Sequence, residues 1–226
     1  MLDLACGTGQ LAFALAESFA EVWAVDQEPD MVRLVEAKAA RSRSTIRAIT
    51  SSAEELSTDG TSFELITIGN AFHRLHRGQV ARRAFEWLRP GGHLALCWSD
   101  SPWSGQAEWQ QTLNDLLQQW SRTLNTHDRL PQDWESDRQA RPDLAVLADA
   151  GFESQGRHQF HVAHRWTVAD LAGFVYSTSF LAAPMFGDRA PAFEADLADH
   201  LAPQLDDGVL VEDVSFAYDL VRKPAS

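Results

Sequence analysis

LDLACGTGQL (residues 2–11) packs three signals into ten positions. Leu2–Leu4 is a short apolar run of strand type. Gly7 and Gly9 break it, and QLAFALAESF (10–19) is apolar at helical spacing. A strand that turns on glycines into a helix is a ligand-binding device. Glycine lets the backbone approach a ligand and adopt positive φ, and the helix aims its free N–H groups and positive dipole end at anionic atoms. VWAV (22–25) reads as the next strand and ends on Asp26, seventeen residues after Gly9. At the carboxyl edge of neighbouring parallel strands, that carboxylate can accept two ribose hydroxyls.

The same alternation continues outward. PDMVRLVEAKAA (29–40) is helical, with Pro29 in its first turn and Met31, Leu34 and Val35 on one face. Residues 45–50, 63–69 and 93–98 read as strands, and 79–88 as a helix stopped by Pro90-Gly91-Gly92. Strands alternating with helices imply right-handed βαβ units and a parallel sheet covered on both faces. The second half differs. Trp109, Leu113, Leu116, Leu117, Trp120 and Leu124 fall at helical spacing within a polar, tryptophan-rich stretch, 103–138. Helices are expected at 142–150, 168–180 and 192–201, and strands at 152–165 and 211–221.

Composition narrows the function. A net charge of −13 over 226 residues disfavours nucleic acid or an anionic membrane as the main partner, because such binding rests on Lys and Arg contacts. No apolar run reaches the ~18–20 residues of a membrane span. Met1–Leu4 has no basic leader pattern, so a cytoplasmic location is expected. Two cysteines, Cys6 and Cys97, make neither a disulfide framework nor a zinc site.

Two ligands fit the glycine turn. Residues 7–12 satisfy the dinucleotide pattern G-x-G-x-x-A, with Asp26 at a suitable distance. Asp3, four residues before Gly7, argues the other way. A carboxylate there is unhelpful beside a pyrophosphate, but well placed for an ammonium group or as a brace beneath the loop.

Taken together, the motifs resemble those of class I S-adenosylmethionine-dependent methyltransferases. LDLACGTGQLA (2–12) looks like their first motif and VDQEPDMV (25–32) like the second. SSAEEL (51–56), FELITIGNAFHRL (63–75) and LRPGGHLAL (88–96) follow in order. NAFH after the fourth strand and tryptophans after the fifth resemble the branch that contains trans-aconitate methyltransferase. The resemblance implies an α/β, Rossmann-like, seven-stranded, mostly parallel sheet with the last strand antiparallel, helices on both faces and a small helical cap. Residues 1–100 would be the cofactor-binding half, 101–138 a helical cap insertion, and 139–226 the remainder of the sheet with further cap helices.

It further implies S-adenosyl-L-methionine as cofactor, S-adenosyl-L-homocysteine as product, and a small-molecule acceptor methylated on a hydroxyl or carboxylate. Cofactor contacts would come from Asp3, Ala5, Cys6, Gly7, Thr8 and Gly9 in the first turn. Asp26 would hold the ribose, with Gln27 and Met31 near ribose and adenine. Ser52, Ala53 and Glu54 would lie by the adenine, and Gly69, Asn70 and Ala71 follow the fourth strand. The sequence departs from the family where Ala5 replaces a frequent glycine, Ser52 the usual aspartate and Arg74 a frequent aromatic residue. Relatives carry several dozen residues before the first strand, so the resemblance implies an N-terminal truncation. The alternatives are a catalytically impaired binding protein without its N-terminal lid and an NAD-dependent oxidoreductase. A monomer or homodimer is expected, with neither nucleic acid nor membrane as partner.

Methyl transfer from a sulfonium mainly needs alignment of the nucleophile near ~3–3.5 Å from the methyl carbon. A base helps only an acceptor protonated at neutral pH. His73 is the candidate base, acceptor-orienting group or structural loop histidine. Arg74 and Arg77 are either an acidic-acceptor clamp or solvated side chains, since guanidinium grips carboxylate in bidentate fashion. Trp103, Trp109 and Trp120 suit either an aromatic acceptor pocket or core. On a strand, His158 and His164 share a face that His161 does not, and nothing completes a ligand set, so no metal is expected. Cys97 reads as a buried apolar residue.

Overall fold

A computed structural model describes residues 1–126, 138–178 and 180–225. Seven strands form one sheet in the order β3-β2-β1-β4-β5-β7-β6. They are β1 (Leu2–Leu4), β2 (Val22–Asp26), β3 (Ile46–Thr50), β4 (Phe63–Gly69), β5 (Leu88–Ser99), β6 (Glu153–Trp166) and β7 (Leu210–Arg222). Six run parallel and β7 runs against them. The antiparallel sense shows in the Lys223 N–H bond to the Gly92 carbonyl (2.8 Å) and the Asp100 N–H bond to the Ser215 carbonyl (3.0 Å).

Register explains the central strands. Leu2 lies beside Trp23 and Ile66, and Ile66 beside Leu94; Leu4 lies beside Val25 and Ile68, and Ile68 beside Leu96. These two rows point to one face and are buried in a single apolar cluster with Phe72. The period of two sends the intervening residues to the opposite face. There Asp3 is flanked by Ala24 and Thr67, with Ala95 next to Thr67.

Residues 1–98, 138–159 and 217–225 belong to one compact unit. In it α1 (Gln10–Leu15) is shorter than the expected 10–19 helix and tightens into a 3-10 turn at Ala16–Ser18. Helix α2 (Pro29–Ser42) buries Val32, Val35 and Ala39, whereas Leu34 is 55% exposed. The expected stripe of Met31, Leu34 and Val35 is therefore rotated by about one position. Val32, Val35 and Ala39 are spaced i, i+3, i+7, which keeps them on one line of the helix. Helix α3 (Arg77–Trp87) gives way directly to β5, which runs through Pro90-Gly91-Gly92 instead of starting at His93. The pairing shifts register between Phe63 and Leu65 to accommodate the extra residues. Gly92 is required there, since a Cβ would lie 2.9 Å from the Arg89 carbonyl oxygen. The unit also contains a short α5 (Asp143–Asp149), numbered after α4 (Glu108–Thr123) of the second unit.

Residues 99–126 and 160–216 belong to that second unit. Its core is helical. Trp109, Leu113, Leu116, Leu117 and Trp120 of α4 (Glu108–Thr123) cluster with Leu171 and Val175 of α6 (Val168–Tyr176). Phe186 of α7 (Ala183–Phe186) and Phe193, Leu197 and Leu201 of α8 (Ala190–Leu201) complete it. Helix α6 ends short of the expected Phe180. The Ser177 and Thr178 hydroxyls donate to the Phe174 and Val175 carbonyls (2.6 and 2.7 Å) and compete with helix continuation. Glu212 ties the unit together, accepting from Gln110 Nε2 (3.2 Å) and Trp166 Nε1 (2.7 Å). Among the described residues, no helix is long and apolar enough to cross a membrane.

Candidate functional site

The turn after β1 is built from left-handed residues. Ala5, Gly7 and Gly9 have φ of 52°, 53° and 79°. Ala5 adopts a conformation that costs a non-glycine residue roughly 1–2 kcal/mol, which fits a position where glycine is the common choice. The turn is pinned by the Cys6 N–H bond to the Val25 carbonyl (3.0 Å) and the Gly9 N–H bond to the Cys6 carbonyl (2.9 Å). Gly9 is the N-cap of α1, and a Cβ there would lie 3.1 Å from Phe13 and Val35. A Cβ at Gly7 would meet nothing within 4 Å, so the turn is open at that point.

Asp26 is the hinge of this arrangement. It is buried at the end of β2, and its Oδ2 accepts the Gly7 N–H (2.8 Å) while Oδ1 accepts the Glu28 N–H (2.9 Å). Each oxygen keeps a second lone pair. The carboxylate thus sits against the glycine turn at the carboxyl edge of two adjacent parallel strands.

Asp3 lies beneath the turn, with 1% of its surface exposed. Its Oδ1 accepts from Thr67 Oγ1 (2.7 Å) and its Oδ2 from the Ala12 N–H (3.1 Å), which ties β1, β4 and α1 together. Burial pushes its pKa up to about 7, opposed by these two hydrogen bonds and reinforced by Asp26. Thr67 was absent from the expected set. Its signal was a lone polar residue between Ile66 and Ile68, on the face that Asp3 shares.

Cys6 and Thr8 are half-buried in the turn. Burial, then Asp3 and Asp26, raises the Cys6 pKa, so Cys6 remains a thiol and not a nucleophilic thiolate. Cys97 is half-buried, and burial and Asp3 push its pKa up to about 11. Gln27 is exposed and Met31 half-buried near the start of α2. After β3, the Ser51 N–H donates to the Asp26 carbonyl (2.9 Å), which brings the 51–56 turn to the end of β2. Ser52 Oγ accepts from the Glu55 N–H (3.2 Å), and Ala53 is buried in the core. Glu54 reaches elsewhere: its Oε1 accepts the His76 N–H at the start of α3 (2.9 Å). After β4, a Cβ on Gly69 would lie 3.0 Å from Leu11 Cδ1, which holds α1 close to that strand end. Asn70 has φ of 48° and donates its N–H to the Cys97 carbonyl (2.9 Å), while Ala71 is buried.

His73 stands in the following 3-10 turn, Phe72–Arg74. Its ring stacks toward Trp98 at 6.2 Å between centroids, and Arg74 Nε lies 3.4 Å from its Nε2. Burial, then Arg74 and Arg138, pushes its pKa down to about 4, with Asp143 opposing and Arg77 adding to the drop. His73 is therefore neutral at pH 7 and a weak base. Arg77 is committed to structure: its Nη1 donates to the Arg141 carbonyl (2.8 Å) and to Asp143 Oδ1 (2.9 Å). Arg138 takes the other oxygen, Asp143 Oδ2, through its Nε (2.7 Å) and lies 4.0 Å over the Trp98 ring. Trp98 and Arg138 carried no signal in the sequence, because Arg138 is 65 residues from His73 and only folding joins them.

The other aromatic and histidine candidates have packing partners of their own. Trp109 and Trp120 are buried in the second unit's core, and Trp103 packs against Phe174 and Phe180 there. His158 stacks on Tyr218, His161 faces Asp213 at 3.4 Å, and His164 packs on Trp166.

Residues 1–92 match the methyltransferase domain family. Uncharacterised methyltransferases of Mycobacterium tuberculosis and Mycobacterium bovis are 30% identical over 117 residues, covering 52% of this chain and 46% of theirs. The chain thus spans about half the length of the curated relatives it matches. Among solved structures, a candidate methyltransferase from Bacillus halodurans superposes with a TM-score of 0.54 at 19% identity, covering 99% of this chain and 91% of its own. A [4+2]-cyclase superposes with 0.56 at 19% identity, over 100% of this chain and 74% of its own. At these identities the likeness is one of fold, and a cyclase on the same fold shows that fold alone does not name a reaction.

Proposed function

We propose that this chain, whose residues 1–92 match the methyltransferase domain family, uses S-adenosylmethionine and transfers its methyl group to an oxygen of a small molecule. The observation that carries the reading is the Asp26 carboxylate bonded to the Gly7 N–H at the carboxyl edge of parallel strands. That geometry suits a ribose diol held against a glycine turn. The open space over Gly7 leaves room for a ligand there. When bound, S-adenosylmethionine supplies a methyl carbon on a sulfonium; the acceptor oxygen forms the new C–O bond as the C–S bond breaks with its electron pair passing to sulfur.

The chain's own residues do the rest. Asp26 would accept the ribose hydroxyls with its remaining lone pairs, and Gly7, Thr8 and Gly9 would shape the backbone beneath the ligand. Asp3, buried below, braces the turn, and in its ionised form it would present negative potential to a cationic ligand. The turns at Ser52–Glu54 and Gly69–Ala71 would flank the cofactor. Neutral His73 would accept a hydrogen bond from the acceptor or orient it, a role that needs no strong base.

Calorimetric titration of the 226-residue chain with S-adenosylhomocysteine, with NAD in parallel, tests this. Micromolar binding of the first, none of the second, and loss of at least tenfold in affinity in Asp26→Ala are expected. Binding of NAD in preference would sink the reading, because a buried Asp3 under the turn is unfavourable to a pyrophosphate.

A further inference from the structure

The 51–56 turn is joined on two sides. On one, the Ser51 N–H donates to the carbonyl of Asp26, whose carboxylate accepts the Gly7 N–H. On the other, three bonds run to α3, 22 to 27 residues further along the chain. Glu54 Oε1 accepts the His76 N–H (2.9 Å), the Glu54 carbonyl accepts from Gln79 Nε2 (3.4 Å), and the Leu56 carbonyl accepts from Arg83 Nη2. Apolar packing acts in the same sense, since Ala53 and Leu56 belong to one buried cluster with Phe72, Leu75 and Val80.

The start of α3 shows why the Glu54 bond matters. The first turn holds no acidic residue, and His76, the N-cap, makes no side-chain capping bond. The first N–H groups of a helix lack internal partners and carry positive partial charge, so an acid or hydroxyl commonly meets them. Glu54 supplies that acid from a separate turn. It takes the N-cap N–H, the group that an acid or amide at the third helical position takes in a capping box. Gln79 holds that position here, and its side chain is turned to the Glu54 carbonyl instead. A carboxylate acceptor makes the His76 bond charge-assisted.

What the start of α3 carries is His73. Leu75 and His76 alone separate α3 from the Phe72–Arg74 turn. The Arg74 N–H donates to the Ala71 carbonyl (2.8 Å), the Leu75 N–H to the Phe72 carbonyl (3.2 Å) and the Val80 N–H to the His76 carbonyl (3.0 Å). Phe72 is fully buried and anchors the turn in the core. The path from Glu54 to His73 is thus a continuous run of hydrogen-bonded turns.

We propose that Glu54 is a positioning residue: by accepting the His76 N–H it fastens the turn that flanks the cofactor to the turn that carries His73. This rests on the methyl-transfer reading above and adds the residue that sets His73 against the cofactor. The Glu54 carboxylate serves α3, and the backbone of its turn serves the cofactor. A ligand that prefers the fastened arrangement strengthens the tether by the same factor by which the tether strengthens the ligand.

The test is NMR on the full chain, with His73 ring signals identified by their loss in His73→Ala. In Glu54→Ala the His76 amide should exchange about tenfold faster, the usual worth of a hydrogen bond to a charged group, and the His73 ring signals should move. The faster exchange should be confined to residues 72–79, whereas general loosening would spread it through α3. Glu54→Gln keeps an acceptor oxygen at the same reach and should restore most of both signals. S-adenosylhomocysteine should bind Glu54→Ala about fivefold or more weakly. It should slow His76 exchange in the wild type by the same factor and leave it unchanged in Glu54→Ala. Glu55→Ala removes the same charge from the exposed neighbouring side chain and should alter none of these readings.

Unchanged His76 exchange, His73 ring signals that do not move, a glutamine variant no better than alanine, or faster exchange spread evenly through α3 would each overturn the proposal. Equal ligand-induced slowing in the wild type and Glu54→Ala would do the same. If S-adenosylhomocysteine fails to bind even the wild type while the His76 and His73 changes persist, the tether stands and the cofactor reading alone falls.

Discussion

Replacing Asp3 by asparagine should make the fold more stable at alkaline pH. Asp3 is 1% exposed, and its pKa stands at about 7 in the fold against an ordinary value near 3.8. The folded state therefore binds a proton more tightly than the unfolded chain. Stability from this group is fully present below about pH 4 and is lost as pH rises toward 7, with a slope near 1.4 kcal/mol per pH unit. The whole loss is on the order of 4 kcal/mol, of which roughly 2 falls between pH 5.5 and 7. Asparagine keeps the acceptor for the Ala12 N–H, and its amide can donate to a Thr67 hydroxyl that reverses its bond. Asp3→Asn should lose this slope and exceed the wild type at pH 8 by about 2 kcal/mol or more, allowing for an imperfect Thr67 bond. Asp3→Ala should instead lose about 1–3 kcal/mol at pH 5.5, because the Ala12 N–H is left buried without an acceptor. Urea unfolding of the three proteins from pH 5.5 to 8.5, followed by circular dichroism, gives the differences directly. Other titrating groups are common to all three and cancel. A wild type whose stability rises over this range relative to Asp3→Asn, or an asparagine variant weaker at pH 8, would refute the reasoning. The ionised carboxylate would then be the form that the fold prefers, and Asp3 would not be a strained brace.

Two further outcomes follow from local geometry. Gly9→Ala places a Cβ at φ of 79° and 3.1 Å from Phe13 and Val35, so it should cost about 1–3 kcal/mol in urea unfolding and weaken S-adenosylhomocysteine binding. Glu212→Ala strands the buried Gln110 and half-buried Trp166 donors, and should lower stability by about 2–4 kcal/mol with loss of near-ultraviolet tryptophan signal. Glu212→Gln should cost less, because burial already raises the pKa of this acid and the amide carries no charge to desolvate.

What was legible in the sequence was local. Glycines at 7 and 9, an acid closing the next strand, and apolar runs of period two and 3.6 all report steric and hydrogen-bonding rules that act within a few residues. Those rules suffice for the strand–turn–helix unit, for the parallel sheet and for Asp26 standing beside the turn. They do not say which helical line faces inward: Val32 and Leu34 are both good core residues, and packing against the sheet chose Val32. Nor could they choose between Asp3 as an ammonium partner and Asp3 as a brace. That depended on β1 and β4 being neighbours in a register that sets Thr67 beside it. Arg77 looked like a clamp and is held by Asp143, while Arg138 looked like nothing and lies on Trp98. Charge and aromatic contacts between residues dozens of positions apart have no period to read. They are decided by which strand ends the sheet brings together, and that is the property of the tertiary structure alone.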